Sequence, residues 1–234
     1  MGYTKRIVCL AASLKNGGLC VAGREVAADR FGGWVRPISA SDASELSYGQ
    51  YRYEDYSTPK LLDVIDVPLL GPSPHGHQRE NALVDTNRRW VRRGKAAFRR
   101  LKDLREEPES LWVNSGSTGY GRWNSIAGDE AREFQWSLCL IEVASLEIGV
   151  VRGVRGEMAC KAGFEYKGIE YKLSVTDPGI REDFEPRGYG CYPLEVAGEI
   201  FLCVSLSEPY GVQGRCHKLV AAVLTAGRCG GCDA

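Results

Sequence analysis

The sequence predicts a mainly β protein built from two small barrels, and three observations favour this fold class. First, the chain contains 28 glycines, which separate short apolar runs in the way that turns separate short strands. Second, both halves show three strand-like runs, then a polar insert, then a further apolar run. Third, 234 residues suffice for two domains of about 115 residues each, which is an ordinary domain size.

The first half contains four clear strand candidates. Residues 5–13 and 19–26 flank Asn16-Gly17-Gly18, a turn signal that is typical of a tight hairpin. Residues 33–38 form a third candidate, and 62–70 alternate acidic with aliphatic residues, as a strand with one buried face does. The polar stretch between the third and fourth candidates predicts a loop with a helical turn.

Residues 88–105 predict one prominent basic helix. Trp90, Ala97, Leu101 and Leu104 can share one apolar stripe at helical spacing. The segment holds nine Lys and Arg residues and a single acid, Asp103. Such a surface attracts phosphates, and the candidates for phosphate contact are Arg92, Arg93, Arg99 and Arg100. The alternative is a solvated face, or salt bridges to the second half.

The second half reads as five strands with a helical insert. Residues 136–151 predict a long strand or a bent pair, and two further candidates meet at the turn Lys167-Gly168. Helical character follows at 177–188, before the apolar runs 200–206 and 218–225. A helix between the third and fourth of five strands is the order expected of an OB-fold. We therefore expect OB-like barrels at 1–126 and 127–234, the second with a short flexible tail.

A set of sequence blocks, in order along nearly the whole chain, carries a family resemblance. The blocks are KRIVCLAAS, GWVRPIS, LDVIDVPL, QREN, LW, YKLSVTDP, VSLSEP and CHKLVAAV. Together they resemble the bacterial dual OB-containing domain family, whose members pack two OB-like barrels in one short protein. The resemblance implies the fold and, by analogy, a nucleic-acid or nucleotide ligand. It supplies no catalytic residues.

The candidate groove lies on the first barrel. Trp34 and Arg36 are two residues apart on one strand and therefore share a face, where an aromatic ring can stack on a base beside a guanidinium that binds phosphate. Gln78 and Asn81 lie in the loop after the fourth strand, which can lean over that face. We expect these four residues to line the groove. The alternative is that Trp34 packs in the core and Arg36 pairs with a carboxylate.

Two residues of the second half are secondary candidates for the site, Asp177 and Lys218. Asp177 precedes Pro178, so it can equally cap a helix. The leading interpretation is a binding module without intrinsic catalysis that acts with partner proteins. One alternative is an enzyme acting on nucleotides or nucleic acid through carboxylates such as Glu80 and Asp177. Another is an adaptor that uses the charge difference between the halves, which is +5 for residues 1–126 and −5 for the rest.

Metal sites and compartment follow from the cysteines and histidines. The nine cysteines lie mostly in apolar strand-like runs, which favours buried free thiols in the cytoplasm over disulfides. We predict no cofactor and no metal site. A weak alternative is zinc at Cys216, His217, Cys229 and Cys232, and His75, His77 and Glu80 form a still weaker set. No apolar run reaches about 18 residues, so we expect no membrane-spanning helix.

Overall fold

The computed structural model describes residues 2–15, 17–27, 30–40, 45–153 and 156–230. Within these ranges the strands form two sheets, one from each half of the chain. The helices are short, and none that the structure describes is long and apolar enough to cross a membrane. The mainly β fold predicted from the sequence is confirmed.

The first sheet forms a small closed barrel. Its strands are β1 (Tyr3–Lys15), β2 (Gly18–Ala27), β3 (Arg30–Ile38), β4 (Asp63–Pro72), β5 (Asn81–Val84) and β6 (Val91–Lys95). Neighbours in the sheet follow the order β1-β2-β3-β5-β4-β6, and β1 also pairs with β4, which closes the barrel. The β3–β5 pairing is parallel and the others are antiparallel. Helix α1 (Tyr48–Tyr51) lies between β3 and β4.

The middle of strand β1, residues 7–12, is apolar without interruption because both of its faces are covered. Ile7 and Cys9 point into the first barrel, and Val8 and Leu10 pack against the second barrel. A strand with one solvated face would alternate apolar and polar residues, whereas a strand buried on both faces reads as a continuous apolar run. The run IVCLAA therefore encodes the contact between the barrels as well as the core of one barrel.

The predicted helix at 88–105 is wrong. Its first part is strand β6, which extends the β4 edge, and the helical part is limited to a 3-10 turn at Phe98–Arg100 and helix α2 (Leu101–Leu104). Arg92 and Arg93 form ion pairs with Asp63 and Asp66 of β4, at 3.1 and 2.7 Å. These cross-strand pairs, and a positive φ of 143° at Gly94, fit an irregular edge strand.

The second sheet contains the remaining strands. They are β7 (Gly116–Thr118), β8 (Gly121–Ala127), β9 (Leu138–Val143), β10 (Glu147–Arg152), β11 (Met158–Tyr166), β12 (Ile169–Val175), β13 (Gly190–Pro193), β14 (Ile200–Leu206) and β15 (Arg215–Leu224). The path through the sheet is β13-β10-β11-β12-β8-β15-β14-β9, and β12 also pairs with β15 in parallel. Strands β9 and β10 form the predicted bent pair.

The two sheets share one underlying topology. If β9 and β10 count as one bent first strand, then β11, β12, β14 and β15 correspond to β2, β3, β4 and β5 of the first barrel. The parallel pairing of third and fifth strands recurs, as does the helix between third and fourth, here α4 (Pro178–Phe184). A five-stranded, partly open Greek-key barrel of this kind is the OB-fold.

The boundary between the barrels lies earlier than the sequence suggested. Strands β7 and β8 belong to the second sheet, where β8 pairs with both β12 and β15. Helix α3 (Gly128–Arg132) follows them in the chain. The division predicted after residue 126 therefore falls inside β8. The segment 105–115 links the last helical turn of the first barrel to the second.

A third apolar cluster joins the barrels, in addition to the core of each barrel. From the first half it contains Val8, Leu10 and Ala22, with Phe98, Leu101 and Leu104. From the second half it contains Leu138, Leu140, Phe201, Cys203, Ala221 and Leu224. We call this contact surface the seam. Leu14 also donates a backbone hydrogen bond to Thr176 O at 3.0 Å across it. The barrels thus pack as one body with a continuous interior.

The last described residues are packed, in contrast to the flexible tail that was predicted. Cys229 is buried in the seam cluster. Arg228 donates to the carboxylates of Asp177 and Asp183 at 3.0 and 2.8 Å. Arg228 and Cys229 therefore attach the end of the described chain to α4 and to the seam. The rest of the predicted tail, residues 231–234, lies outside the described residues.

Candidate functional site

The face that was expected to hold the groove of the first barrel is largely covered. In an OB-fold, the outer face of strands two and three binds ligands. Here Ala22 of β2 and Trp34 of β3 lie on that face and pack against the seam cluster. The second barrel thus occupies most of the surface on which the sequence predicted a ligand.

Trp34 contributes to packing at the seam. Its ring is half-buried, and its indole nitrogen lies 3.2 Å from both carboxylate oxygens of Glu106, the residue that begins the link to the second barrel. Arg24 binds the same carboxylate at 3.1 Å and lies over the indole ring at 5.8 Å. This geometry fits the alternative in which Trp34 packs in the core better than it fits a ring that is free to stack on a base.

Arg36 is buried at the seam in an ion pair. Its guanidinium lies 3.2 Å from the Glu80 carboxylate and donates to Ser205 Oγ of the second barrel at 3.3 Å. Glu80 in turn accepts a hydrogen bond from the hydroxyl of Ser137. The predicted alternative, in which Arg36 pairs with a carboxylate, describes this geometry, and two protein donors bind Glu80 Oε1.

Gln78 and Asn81 also lie at the seam. Gln78 Nε2 donates to the carbonyl of Leu206 at 3.4 Å, and Asn81 Nδ2 donates to Gln78 Oε1 at 3.1 Å. His77 is buried beside them, with Nε2 at 3.4 Å from the same carbonyl, and burial lowers its pKa. The QREN block is thus an interbarrel contact, and His75, His77 and Glu80 do not form a metal cluster in the described part of the chain.

Two of the four predicted groove residues meet in one cavity. This seam pocket has a volume of about 160 Å³ and opens between the barrels. The first barrel contributes Leu14, Arg36, Ile38 and Gln78 among others, and the second contributes Ser205 and Leu219. Trp34 and Asn81 do not line it; Asn81 lies behind Gln78.

The basic residues of 88–105 fall into two groups. Those of β6 lie at the sheet edge beside β4, whereas those of 99–105 lie next to the seam. There Lys102 pairs with Glu199 and Arg105 with Glu142, as the alternative of salt bridges to the second half predicted. Arg92 and Arg93 are about half exposed, at 50% and 49%, and each is paired with a carboxylate of β4. Asp66 also binds Arg6 at 2.6 Å. Arg99 is exposed, and Arg100 pairs with Asp103 at 2.8 Å and covers the ring of Phe31.

The two secondary candidates are structural. Asp177 is buried and caps α4 by accepting from the backbone of Gly179 and Ile180, and its second oxygen accepts from Val223 N at 2.8 Å. Lys218 points into the second barrel. Its ammonium donates to the carbonyl of Val113 at 2.8 Å and to Asn114 Oδ1 at 2.9 Å. Burial lowers the pKa of Lys218 to about 7.

The residues of the weak zinc alternative are dispersed. Cys216 is in the core of the second barrel, whereas its neighbour His217 is on the outer face of β15, and Cys229 is in the seam. Burial raises the pKa of both Cys216 and Cys229 to about 11. Cys232 lies outside the described residues. No group of three metal-ligating side chains occurs within the ranges that the structure describes.

A surface that the sequence reasoning missed lies on the second barrel. Tyr120, Arg122, Arg152, Lys161 and Lys172 line an open depression of about 480 Å³. We call this surface the cationic face. Lys161 is on β11 and Lys172 on β12, the second and third strands of this barrel, and Arg122 on β8 lies opposite Lys172 in the sheet. It is thus the outer face of strands two and three, which the seam covers in the first barrel.

The cationic face carries net positive charge within an otherwise acidic half. Arg122 pairs with Glu170, but Arg152 and Lys172 are exposed and, among the described residues, have no carboxylate partner. Lys161 is largely buried, donates to Ser174 Oγ at 2.7 Å, and has its pKa lowered by burial and by Lys172. Tyr120 is 49% exposed, with the Lys161 ammonium 6.0 Å from its ring centre.

His217 connects the cationic face with the rest of the outer surface. Its ring is half-buried, and its pKa is lowered by burial and by the charges of Arg215 and Lys161. The backbone N–H of His217 donates to Ser207 Oγ at 2.8 Å, which lies at the rim of the seam pocket. The outer face of β15 therefore runs from the cationic face towards the seam.

Comparison with known proteins identifies the family. The model of one family, described as the dual OB-containing domain, matches residues 5–223. The chain belongs to this family. The family match spans both barrels, which agrees with the repeated strand order, and the resemblance inferred from the sequence blocks is confirmed. No curated protein and no solved structure matches the chain. The dual OB-containing domain suggests an OB-fold binding module.

Proposed function

We propose that this dual OB-containing protein binds single-stranded nucleic acid or a nucleotide through its second barrel. The observation that carries the proposal is the cationic face, which combines an exposed tyrosine with unpaired basic side chains on the outer face of strands two and three. OB-folds that bind single strands use a positively charged groove for the backbone and aromatic rings for the bases. Tyr120, Arg152 and Lys172 supply these two elements.

Each side chain has a distinct part in the proposed binding. Arg152 and Lys172 attract phosphates by charge, and Arg122 can exchange its surface partner Glu170 for a phosphate at small cost, because exposed ion pairs are weak. Tyr120 offers one ring face to a base. Lys161 and Ser174 form a fixed pair at the floor. Binding proceeds without a catalytic step in this proposal, because Glu80 and Asp177 are both engaged by protein donors.

The arginines at the β6 edge provide a secondary surface in this proposal. Asp66 binds both Arg6 and Arg93, so the cations there outnumber their carboxylate partners. Arg92 and Arg93 on β6, together with Arg99 and Arg100 in the turn that follows it, can add long-range attraction for a polyanion, while the cationic face holds the strand. The proposal also includes partner proteins that act together with the module in the cytoplasm.

Binding of a labelled oligonucleotide, measured over a range of salt concentrations, tests the function. We expect binding to single-stranded DNA or RNA to weaken steeply with salt, because phosphate contacts release counterions. The double variant Arg152→Glu/Lys172→Glu should abolish it. The control Lys60→Glu, at an exposed lysine of the first barrel, should leave it nearly unchanged.

Variants of Tyr120 distinguish the contribution of base stacking to affinity from the contribution of charge. Tyr120→Ala should weaken binding by about 1–3 kcal/mol, the usual contribution of one stacked base, whereas Tyr120→Phe should retain it. Lack of binding at low salt to any single- or double-stranded probe would reject the proposal and favour the adaptor interpretation. Equal affinity of wild type and the double variant would show that the cationic face is not part of the binding site.

A further inference from the structure

The cationic face and the seam pocket lie on one continuous surface of the second barrel. Lys172 and Ser174 alternate with the buried residues of β12 and point outward, and Thr176 continues this series into the seam pocket. At about 3.3 Å per residue, Lys172 and Thr176 are roughly 13 Å apart. A stacked strand rises about 3.4 Å per nucleotide, so about four nucleotides span this distance.

The neighbouring strand extends the same track. Leu219 of β15 lies beside Ser174 in the parallel β12–β15 pair and lines the seam pocket. His217 precedes it on the outer face, close enough to Lys161 for the lysine charge to lower its pKa. The surface therefore changes along its length, from basic at Lys172 to a pocket whose one buried cation, Arg36, is paired with Glu80.

The pocket suits a neutral ring rather than a phosphate. Arg36 is its buried cation, and Glu80 at 3.2 Å already compensates that charge. The pocket lining also contains Glu208 and no second cation among the described residues. Its walls combine the aliphatic side chains of Leu14, Ile38 and Leu219 with hydroxyl groups of the seam. Aliphatic walls can sandwich a flat ring, and the hydroxyls can bind polar atoms on its edge.

Gln78 supplies a fixed hydrogen-bonding group in the pocket. Its Oε1 accepts from Asn81 and its Nε2 donates to Leu206 O, which fixes the direction of the amide. An amide has two donor hydrogens and two acceptor lone pairs, so one of each remains. A volume of about 160 Å³ is below that of pockets for whole drug-sized ligands, so it fits one part of a larger molecule.

We propose that the seam pocket receives one unpaired base of the strand whose phosphates bind the cationic face. The inference rests on the proposed function, and it assigns the pocket a role in base preference that the open cationic face cannot supply. It also gives a role to Arg36 and Gln78, which meet in the pocket although Glu80 already compensates the charge of Arg36. The first barrel then contributes one wall of the base site, although its own strand face is covered.

Abasic scanning of a bound oligonucleotide tests the proposal. Six-nucleotide single strands, each with one base removed, are titrated against the wild-type protein. We expect removal of the base in the pocket to weaken binding roughly ten- to hundredfold, and a second sensitive position where Tyr120 stacks. Ser205→Phe fills the pocket and should abolish the first sensitivity alone. The matched control Ser145→Phe introduces the same ring at an exposed loop position that lines neither the seam pocket nor the cationic face, and it should keep both sensitive positions.

A second variant protects the test against misfolding. Leu14 is 44% exposed at the pocket rim, so Leu14→Trp narrows the opening with little disturbance of the core and should act as Ser205→Phe does. If the wild type binds oligonucleotides but only the position at Tyr120 responds to base removal, or if both variants keep the sensitivity at the pocket position, the proposal is overturned.

Nucleosides separate this proposal from the proposed function. They carry no phosphate, so NMR titration with adenosine, guanosine, cytidine and uridine examines the pocket alone, through the methyl signals of Leu14, Ile38 and Leu219. Shifts of these signals without any oligonucleotide binding would support the pocket and reject the proposed function. Absence of both shifts and oligonucleotide binding would reject both proposals.

Discussion

Arg36 and Glu80 form an ion pair at the seam across 3.2 Å, with their side chains only 8% and 6% exposed. Ser205 and Ser137 of the second barrel bind the two ends of the pair. Removing one partner leaves an uncompensated buried charge, which is strongly destabilising. We expect Arg36→Met to lower the free energy of unfolding in urea by about 3–5 kcal/mol.

The double variant Arg36→Met/Glu80→Leu is the matched comparison. It removes both charges, so it should be more stable than Arg36→Met alone, because the desolvation penalty of Glu80 disappears. A double variant that is less stable than the single variant would show that Glu80 is held by Ser137 independently of Arg36.

Lys218 makes stability depend on pH. Burial lowers its pKa to about 7, against about 10.4 in an unfolded chain. Above pH 7 the unfolded state therefore binds the proton that the folded state has released, and stability rises with pH. Between pH 7 and 8, Lys218→Met should reduce the slope of unfolding free energy by about 1 kcal/mol per pH unit. The thiols ionise alike in both proteins and cancel in this comparison.

Lys161 does not disturb that comparison. Its pKa is also lowered by burial, but it is present in both proteins and cancels in the comparison. Identical slopes for wild type and Lys218→Met in urea titrations would mean that Lys218 stays protonated in the folded protein through its bonds to Val113 and Asn114.

Arg228 anchors the end of the described chain. Its guanidinium binds Asp177, Asp183 and the carbonyl of Val223. Hydrogen bonds to charged groups contribute about 1.5–3 kcal/mol, so Arg228→Ala should lower the unfolding free energy by about that amount. Gly227→Ala, where an added methyl group meets nothing within 4 Å, should change it little. Equal stability of the two variants, measured by thermal unfolding, would mean that the segment 227–230 detaches readily.

Gly94 is required by the geometry of β6. Its φ of 143° is one that residues with a side chain rarely adopt, although an added methyl group would meet no neighbour within 4 Å. We expect Gly94→Ala to cost about 1–3 kcal/mol from backbone strain alone. Gly71→Ala on the adjacent strand β4 is also free of contacts but lacks the positive φ, so it should be nearly neutral in the same urea titration.

The strand order was predictable because each strand carries a local pattern. The alternation in LDVIDV, the continuous run IVCLAA and the polar insert before the fourth strand all follow from which faces are buried. The helix at 88–105 was misread because its apolar residues belong to different cores. Trp90 lies inside the first barrel, whereas Leu101 and Leu104 lie in the seam. Their helical spacing is therefore coincidental, and Gly94 was the signal against it.

The candidate site residues also differ in how far the sequence could place them. Arg36 and Gln78 could be placed near each other from the strand order, but the second barrel on top of them could not be read from any local pattern. The cationic face was missed because its residues come from four separate segments, in the half with net negative charge. The one local signal was GSTGYGR, where glycines bring Tyr120 and Arg122 to the surface at the turn between β7 and β8.

The shared apolar face means that neither barrel is a self-sufficient molecule. A fragment ending before Gly116 would present Val8, Leu10 and Ala22 to water, and the complementary fragment would present Leu140 and Phe201. Such halves attract each other or their own copies before they attract any ligand. The two barrels are therefore unequal: the second barrel covers the outer strand face of the first, so losing either half would expose the apolar face of the other.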